Sequence, residues 1–263
     1  MFSPRFLPAL PFLALSLLGV APAAAADVDS TAGYLLSLGG INIATADIQL
    51  TDAAGHYDVK ADATVTGLGS MVASGTAKVE ASGVSTPTGL ASQKFDLETR
   101  AHDEDFSLDV KYEHGNVDAF EVKPPLVDNI NRVPIERSQL VGGVGDLLSA
   151  FILKGHELDA SLCNRHMHIF TGVERFDLAM SYLGDDKATS LRTAYQGPVV
   201  QCQIKYTPIS GHFTTSEMTD YLAKSDRIFV WYAPMAETGF FIPYRVLLGT
   251  SVGDLSMVLT SLK

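Results

Sequence analysis

Basic residues are scarce in this chain. Only 19 Lys and Arg stand against 30 Asp and Glu, a formal net charge of −11 over 263 residues. Nucleic acid is thereby excluded as a partner, because binding to phosphate needs a basic stripe. Strong attachment to anionic lipid headgroups is disfavoured for the same reason. Cysteine is scarcer still, with two residues and no Cys-x-x-Cys. No His-Glu-x-x-His or calcium-loop pattern occurs, so no metal and no cofactor are expected. Beyond residue 26, no stretch reaches the ~18 uncharged apolar residues of a spanning helix. Internal repeats and low-complexity tracts are missing too. Wholesale disorder is excluded by a hydrophobic share of 46% against 19% charged.

The first 26 residues read as an address. Arg5 is followed by an uncharged Leu/Phe/Ala-rich stretch from Phe6 that ends in Ala23-Ala24-Ala25-Ala26. A basic start, an apolar middle and an Ala-x-Ala end are the marks of a cleaved secretory signal. The alternative is a membrane anchor; Pro8, Pro11, Pro22 and the small-residue end argue against it. The reading is a signal peptide over 1–26 and one domain over 27–263, soluble and exported. With no cysteine near the cleavage point, a lipoprotein anchor is not expected.

In an exported protein, an even cysteine count favours pairing. A Cys163–Cys202 bridge would close a loop of about 40 residues and add roughly 4 kcal/mol on the chain-entropy model. A redox pair is the alternative, but the wide spacing does not suit it.

The dominant period is two. Tyr57, Val59, Ala61, Ala63 and Val65 alternate with Asp58, Lys60, Asp62 and Thr64, and Phe106, Leu108, Val110 and Tyr112 alternate with Ser107, Asp109 and Lys111. Such a pattern buries one face of an antiparallel sheet and wets the other. Strands are expected near 32–38, 42–51, 56–66, 75–82, 93–102, 105–113 and 116–122. A second set is expected near 163–171, 174–183, 198–206, 227–233, 240–249 and 253–262. Ala53-Ala54-Gly55, the run from His102 to Asp105, and His114-Gly115-Asn116 are the turns between them. Short helices are expected from Asp146 to Leu153, with Asp146 as N-cap, from Thr214 to Leu222, and as a turn from Gly67 to Val72. They would plug the inside or the end of a curved sheet. Residues 123–145 form a long connection, too incomplete on either side to divide two domains.

Candidate functional residues are few. Gly249-Thr250-Ser251-Val252-Gly253 matches the nucleophile elbow, but strands flank it on both sides and no His follows. A hairpin turn is the better reading, so no catalytic residue is assigned. His166 and His168 share one strand face, which gives two metal ligands and no third. His102, Asp103, Glu104 and Asp105 make an acidic knot of the kind usually solvated. Arg132, Glu136 and Arg137 in the long connection are a candidate partner-binding cluster, weighed against plain surface ion pairs. Phe229, Trp231, Phe240 and Phe241 either fill a core or line an apolar groove for a lipid or peptide.

Several segments together carry a family resemblance. Tyr34 precedes Gly39-Gly40, and Asp146-Leu147-Leu148-Ser149-Ala150 is similar to a helical motif. Residues 170–178, running Phe170-Thr171-Gly172-Val173-Glu174-Arg175-Phe176-Asp177-Leu178, resemble Phe-Asp-Gly-x-x-Arg-Tyr-Asp-Leu. Cys202, Tyr206, Pro208 and Gly211 resemble a Cys-x-x-x-Tyr-x-Pro-x-x-Gly signature. These resemble the exported domain-of-unknown-function family DUF3108 over nearly all of 27–263. Thr171 departs from the pattern, which usually has Asp there. The resemblance implies a periplasmic protein of Gram-negative bacteria with an open, spiral-like β-barrel, and no catalytic residues to transfer.

The fold expected is mainly β: a single strongly curved antiparallel sheet forming an open, spiral-like barrel with two or three short helices. The function expected is a non-enzymatic periplasmic role in cell-envelope maintenance. It would be carried out by a monomer that binds a protein partner or an apolar envelope component. A lipid or lipoprotein carrier and a hydrolase of envelope polymers are the alternatives.

Overall fold

Alternating polar and apolar residues set the architecture. The computed structural model describes residues 27–67, 70, 74–102, 104–127 and 131–263. The expected signal peptide, Asp103 of the acidic knot and most of the 67–72 turn lie outside the described residues. Seven strands come first: β1 (Val28–Leu38), β2 (Ile41–Ala53), β3 (His56–Val65), β4 (Gly75–Thr86), β5 (Gly89–Ala101), β6 (Glu104–Glu113) and β7 (Asn116–Lys123). Two-residue strands β8 (Val144–Gly145) and β9 (Leu153–Lys154) follow. The rest are β10 (Arg165–Phe170), β11 (Arg175–Ala188), β12 (Gly197–Ser210), β13 (Ile228–Pro234), β14 (Phe240–Thr250) and β15 (Gly253–Leu262). Helix α1 (Glu217–Lys224) lies between β12 and β13.

All of these strands belong to one sheet. Its order is β7-β6-β5-β4-β3-β2-β1-β15-β14-β13-β12-β11-β10-β8, with β9 beside β14. Curled on itself, the sheet is a nearly closed barrel with one unsealed seam, between β7 and the β8/β10 edge. Side chains and a loop bridge the seam. The Tyr112 hydroxyl donates to the Phe170 carbonyl at 2.7 Å, Phe120 meets Phe170 edge-on at 5.1 Å, and Gly143 and Val144 donate to the Gly115 carbonyl.

Register converts the alternation into rows around the barrel. Leu50, Val59, Ala81, Phe95 and Val110 are paired in series across β2 to β6, and all are buried. One step along, Ile48, Ala61, Val79, Leu97 and Leu108 form the next inward row. Between these rows lies an outward row of Gln49, Lys60, Glu80, Asp96 and Asp109. The hairpins need backbone with positive φ, supplied at Gly39-Gly40, Ala54-Gly55 and His114-Gly115.

Strands β10 to β14 bury both faces. One lines the barrel; the other carries Phe176, Leu178, Ile204 and Val230 under the 155–164 segment and α1. Cys163 ends a 3-10 turn in that segment (Ala160–Cys163) and sits at disulfide distance from Cys202 on β12, with Cα atoms 5.4 Å apart and both side chains fully buried.

The helix expectations are met once. α1 is capped by Ser216, whose hydroxyl accepts from the Thr219 amide, so it starts three residues later than expected. From Asp146 onward there is no α-helix, and Asp146 is not an N-cap: it accepts the Ser149 amide, while Leu148 takes the N-cap position of the short turn that forms. Only Ser149–Phe151 form a 3-10 turn, because Leu153 and Lys154 are drawn into pairing with Phe241 and Phe240.

Candidate functional site: an apolar cavity and its strap

The inward rows do not fill the barrel. A cavity of about 530 Å³ remains, bounded by β1, β2, β4, β5, β6, β14, β15 and residues 147–152. Its walls are side chains such as Ile48, Val79, Leu97, Phe106, Val246 and Met257, and no charged residue lines it among the described residues. Burial decreases along the barrel. Leu50, Val59, Ala81 and Phe95 are buried, while Ile48, Ala61, Val79 and Leu97 are half-exposed, as are Ala46, Ala63, Ala77, Thr99 and Phe106 beyond them. The cavity therefore opens toward the end bearing the β1–β2, β5–β6 and β14–β15 turns. Alanines in the outermost inward row keep that end wide.

The floor of the cavity is a strap. Residues 146–152 run through the interior from β8, on the β10 edge, to β9, on the β14 edge. Leu147, Leu148, Phe151 and Ile152 face the cavity. Asp146 anchors the start and is fully buried. Its Oδ2 accepts from the Ser149 hydroxyl at 2.5 Å and from the Ser92 hydroxyl on β5, and its Oδ1 accepts from the Ser149 amide at 2.7 Å. A buried carboxylate needs such donors, since its transfer from water is otherwise prohibitive. The hydroxyls of Tyr57 and Tyr112 are close by. Burial first, and then the Asp146 charge, raise both phenols far above the usual range. At the far end, Lys154 Nζ donates to Asp52 Oδ2 at 2.7 Å and lies over the Phe240 ring, 4.6 Å from its centroid.

The motif around residue 175 braces the same region. Buried Arg175 donates to the Gln139 carbonyl at 2.9 Å and to Asp177 Oδ1 at 2.5 Å. Asp177 is also 2.6 Å from His168 Nδ1. Burial alone would raise the Asp177 carboxyl, but hydrogen bonds from His168 and Arg175 outweigh it and hold the group below the usual carboxylate range. Thr171 Oγ1 accepts the Glu174 amide at 3.1 Å, a turn-closing bond that an Asp carboxylate also makes. Gly211 has φ +83°, and a Cβ there would collide with the Val173 carbonyl. Tyr206 packs on Phe176 at 5.3 Å, and burial, with the Glu174 charge, pushes its phenol up to about 12.

Other expected site residues fall elsewhere. Arg132 stacks on Phe213 at 4.8 Å and donates to the Val173 carbonyl, fastening the long connection. Glu136 caps the 3-10 turn Arg137–Leu140, and Arg137 is exposed. None of the three makes an ion pair among the described residues. The aromatic groove candidates are not walls of the cavity. Trp231 donates from Nε1 to Asp186 and stacks with Arg245, and Phe229 lies 6.1 Å from Trp231. Phe240 is buried against Lys154, and Phe241 sits in the opposite core layer. Ser251 is at the exposed tip of the β14–β15 hairpin. His166 is exposed, and among the described residues no three metal-ligating side chains converge. No helix among the described residues is long and apolar enough to cross a membrane.

A single curled, almost wholly antiparallel sheet thus encloses an apolar hollow crossed by an anchored strap. The family profile described as "Protein of unknown function (DUF3108)" matches residues 33–260, so the chain belongs to that family. No curated protein and no solved structure matches it.

Proposed function

We propose that this is a periplasmic, non-enzymatic protein of envelope maintenance that holds an apolar envelope component inside its barrel. One observation carries the reading: a cavity of about 530 Å³ with no charged wall residue among the described residues. Protein interiors are otherwise close-packed, and the volume falls within the roughly 300–1,000 Å³ typical of small-molecule sites. Burying one methylene gains about 0.8 kcal/mol, so an acyl segment of about ten carbons would gain about 8 kcal/mol before ordering costs. Export supports the reading, since the sequence opens on a signal-like segment.

The test is native mass spectrometry with organic extraction, on protein exported and purified from the periplasm without detergent. The expected result is a stoichiometric, lipid-sized adduct released by solvent. Bare chains that also fail to take up dodecyl maltoside would overturn the proposal.

A further inference from the structure

A second, polar cleft of about 470 Å³ lies along the seam, on the other side of the strap from the cavity. Ile152 lines both spaces. The cleft runs between the start of β5, with its 86–89 turn, and the edge of β10 at residues 164–167, where β8 does not reach. At its centre is Arg165. The guanidinium is partly buried, and among the described residues its buried Nε has no hydrogen-bond partner and its one bond runs from an Nη to the Lys154 carbonyl at 3.2 Å. No carboxylate pairs with it among the described residues. Seven other cations have carboxylate partners, Lys60, Lys94, Arg100, Lys123, Lys154, Arg175 and Arg227, whereas Arg132, Arg137 and Arg245 have none among the described residues; of the unpaired cations Arg165 is the one that lines this cleft. Asp146 borders the cleft, but it is fully buried and its oxygens take donors from Ser92 and Ser149. Asn164, His166 and Thr88 surround the cleft as exposed polar groups.

A half-desolvated guanidinium with unspent donors favours a planar or tetrahedral oxyanion, which it binds through a fork of charge-assisted hydrogen bonds. We infer that the seam cleft is an oxyanion site in which Arg165 binds a phosphate or carboxylate group. The anion is either free or the headgroup of an amphiphile; only the second source rests on the cavity reading.

The experiment is an amide NMR titration of the folded chain with three probes: inorganic phosphate, dodecyl phosphate and dodecyl maltoside. Inorganic phosphate is expected to shift amides of residues 88–89 and 164–168. R165Q should weaken this binding at least tenfold, and R165K should retain part of it. Dodecyl maltoside binding should not change in R165Q, which shows that the fold and cavity persist. Dodecyl phosphate binding more tightly than phosphate, with an advantage that R165Q removes, assigns the site to a headgroup. Equal affinity assigns it to a free anion. Absence of phosphate shifts in the unsubstituted chain, or equal shifts in R165Q, overturns the site. If maltoside does not bind while phosphate does, the cavity reading falls and the oxyanion site stands.

Discussion

Asp177 holds together three elements through one carboxylate. It accepts from Arg175, faces His168, and through Arg175 ties the β10–β11 hairpin to the loop carbonyl of Gln139. Its folded-state pKa lies below the unfolded value. The stability it contributes is therefore fully present above about pH 4, the unfolded carboxyl value, and is lost as pH falls through the lower folded value. Urea denaturation as a function of pH should show stability declining below about pH 4, with a shallower decline in Asp177→Asn. An unchanged slope in that variant would remove Asp177 from the account. Thr171 shows how one polar atom can replace another at this scale. It departs from the family pattern yet closes the turn by accepting the Glu174 amide.

Among the elements, the 155–164 segment is the one that carries a cysteine at disulfide distance from the sheet. It has little ladder pairing of its own, yet it covers the buried outer face of β10 to β14. Cys163 fixes it to β12 across a sequence separation of 39. Replacing both cysteines by Ala should lower the unfolding free energy by roughly 4 kcal/mol on the chain-entropy model. Equilibrium urea denaturation without reductant checks this, and a loss under 1 kcal/mol would mean the cover is held by packing alone. The long strands were legible because period-two alternation survives over eight to fourteen residues, as in Tyr57–Val65. That Asp146 bonds the backbone three residues on was legible too, but neither the shift of the N-cap to Leu148 nor the missing helix was. What stops the helix is pairing of Leu153 with Phe241, a contact 88 residues away in sequence. The cavity walls were hidden for a related reason. Bulges at Gly33/Tyr34, Ser82/Gly83 and Trp231/Tyr232 shift which side chains face inward. The crowded aromatics of β13 and β14 left core and groove both open in the sequence, whereas the hollow is walled by Val79, Leu97 and Phe106 together with Ile242 and Val246 of β14 and Met257 of β15.

On the scale of the whole molecule, the barrel's hollow is an accommodation of large inward side chains next to small ones. Leu97→Trp would extend a half-exposed wall residue into empty space instead of into packed core. Binding of dodecyl maltoside should fall at least tenfold in this variant, with thermal unfolding changed little. Retained binding would place the apolar ligand elsewhere. The two halves of the sheet meet where β1 pairs with β15, and the ladder runs on to paired backbone bonds between Thr31 and Lys263, each 2.9 Å. That joint is the most non-local contact the chain makes. High contact order slows folding, because loop-closure entropy is lost before the pairing that offsets it forms. The first seven strands can assemble as local hairpins while the rest of the polypeptide is still emerging. Their edge strand, β1, stays without a neighbour on one side until β15 arrives. Whatever shields this edge in the meantime would thus set how fast the barrel closes.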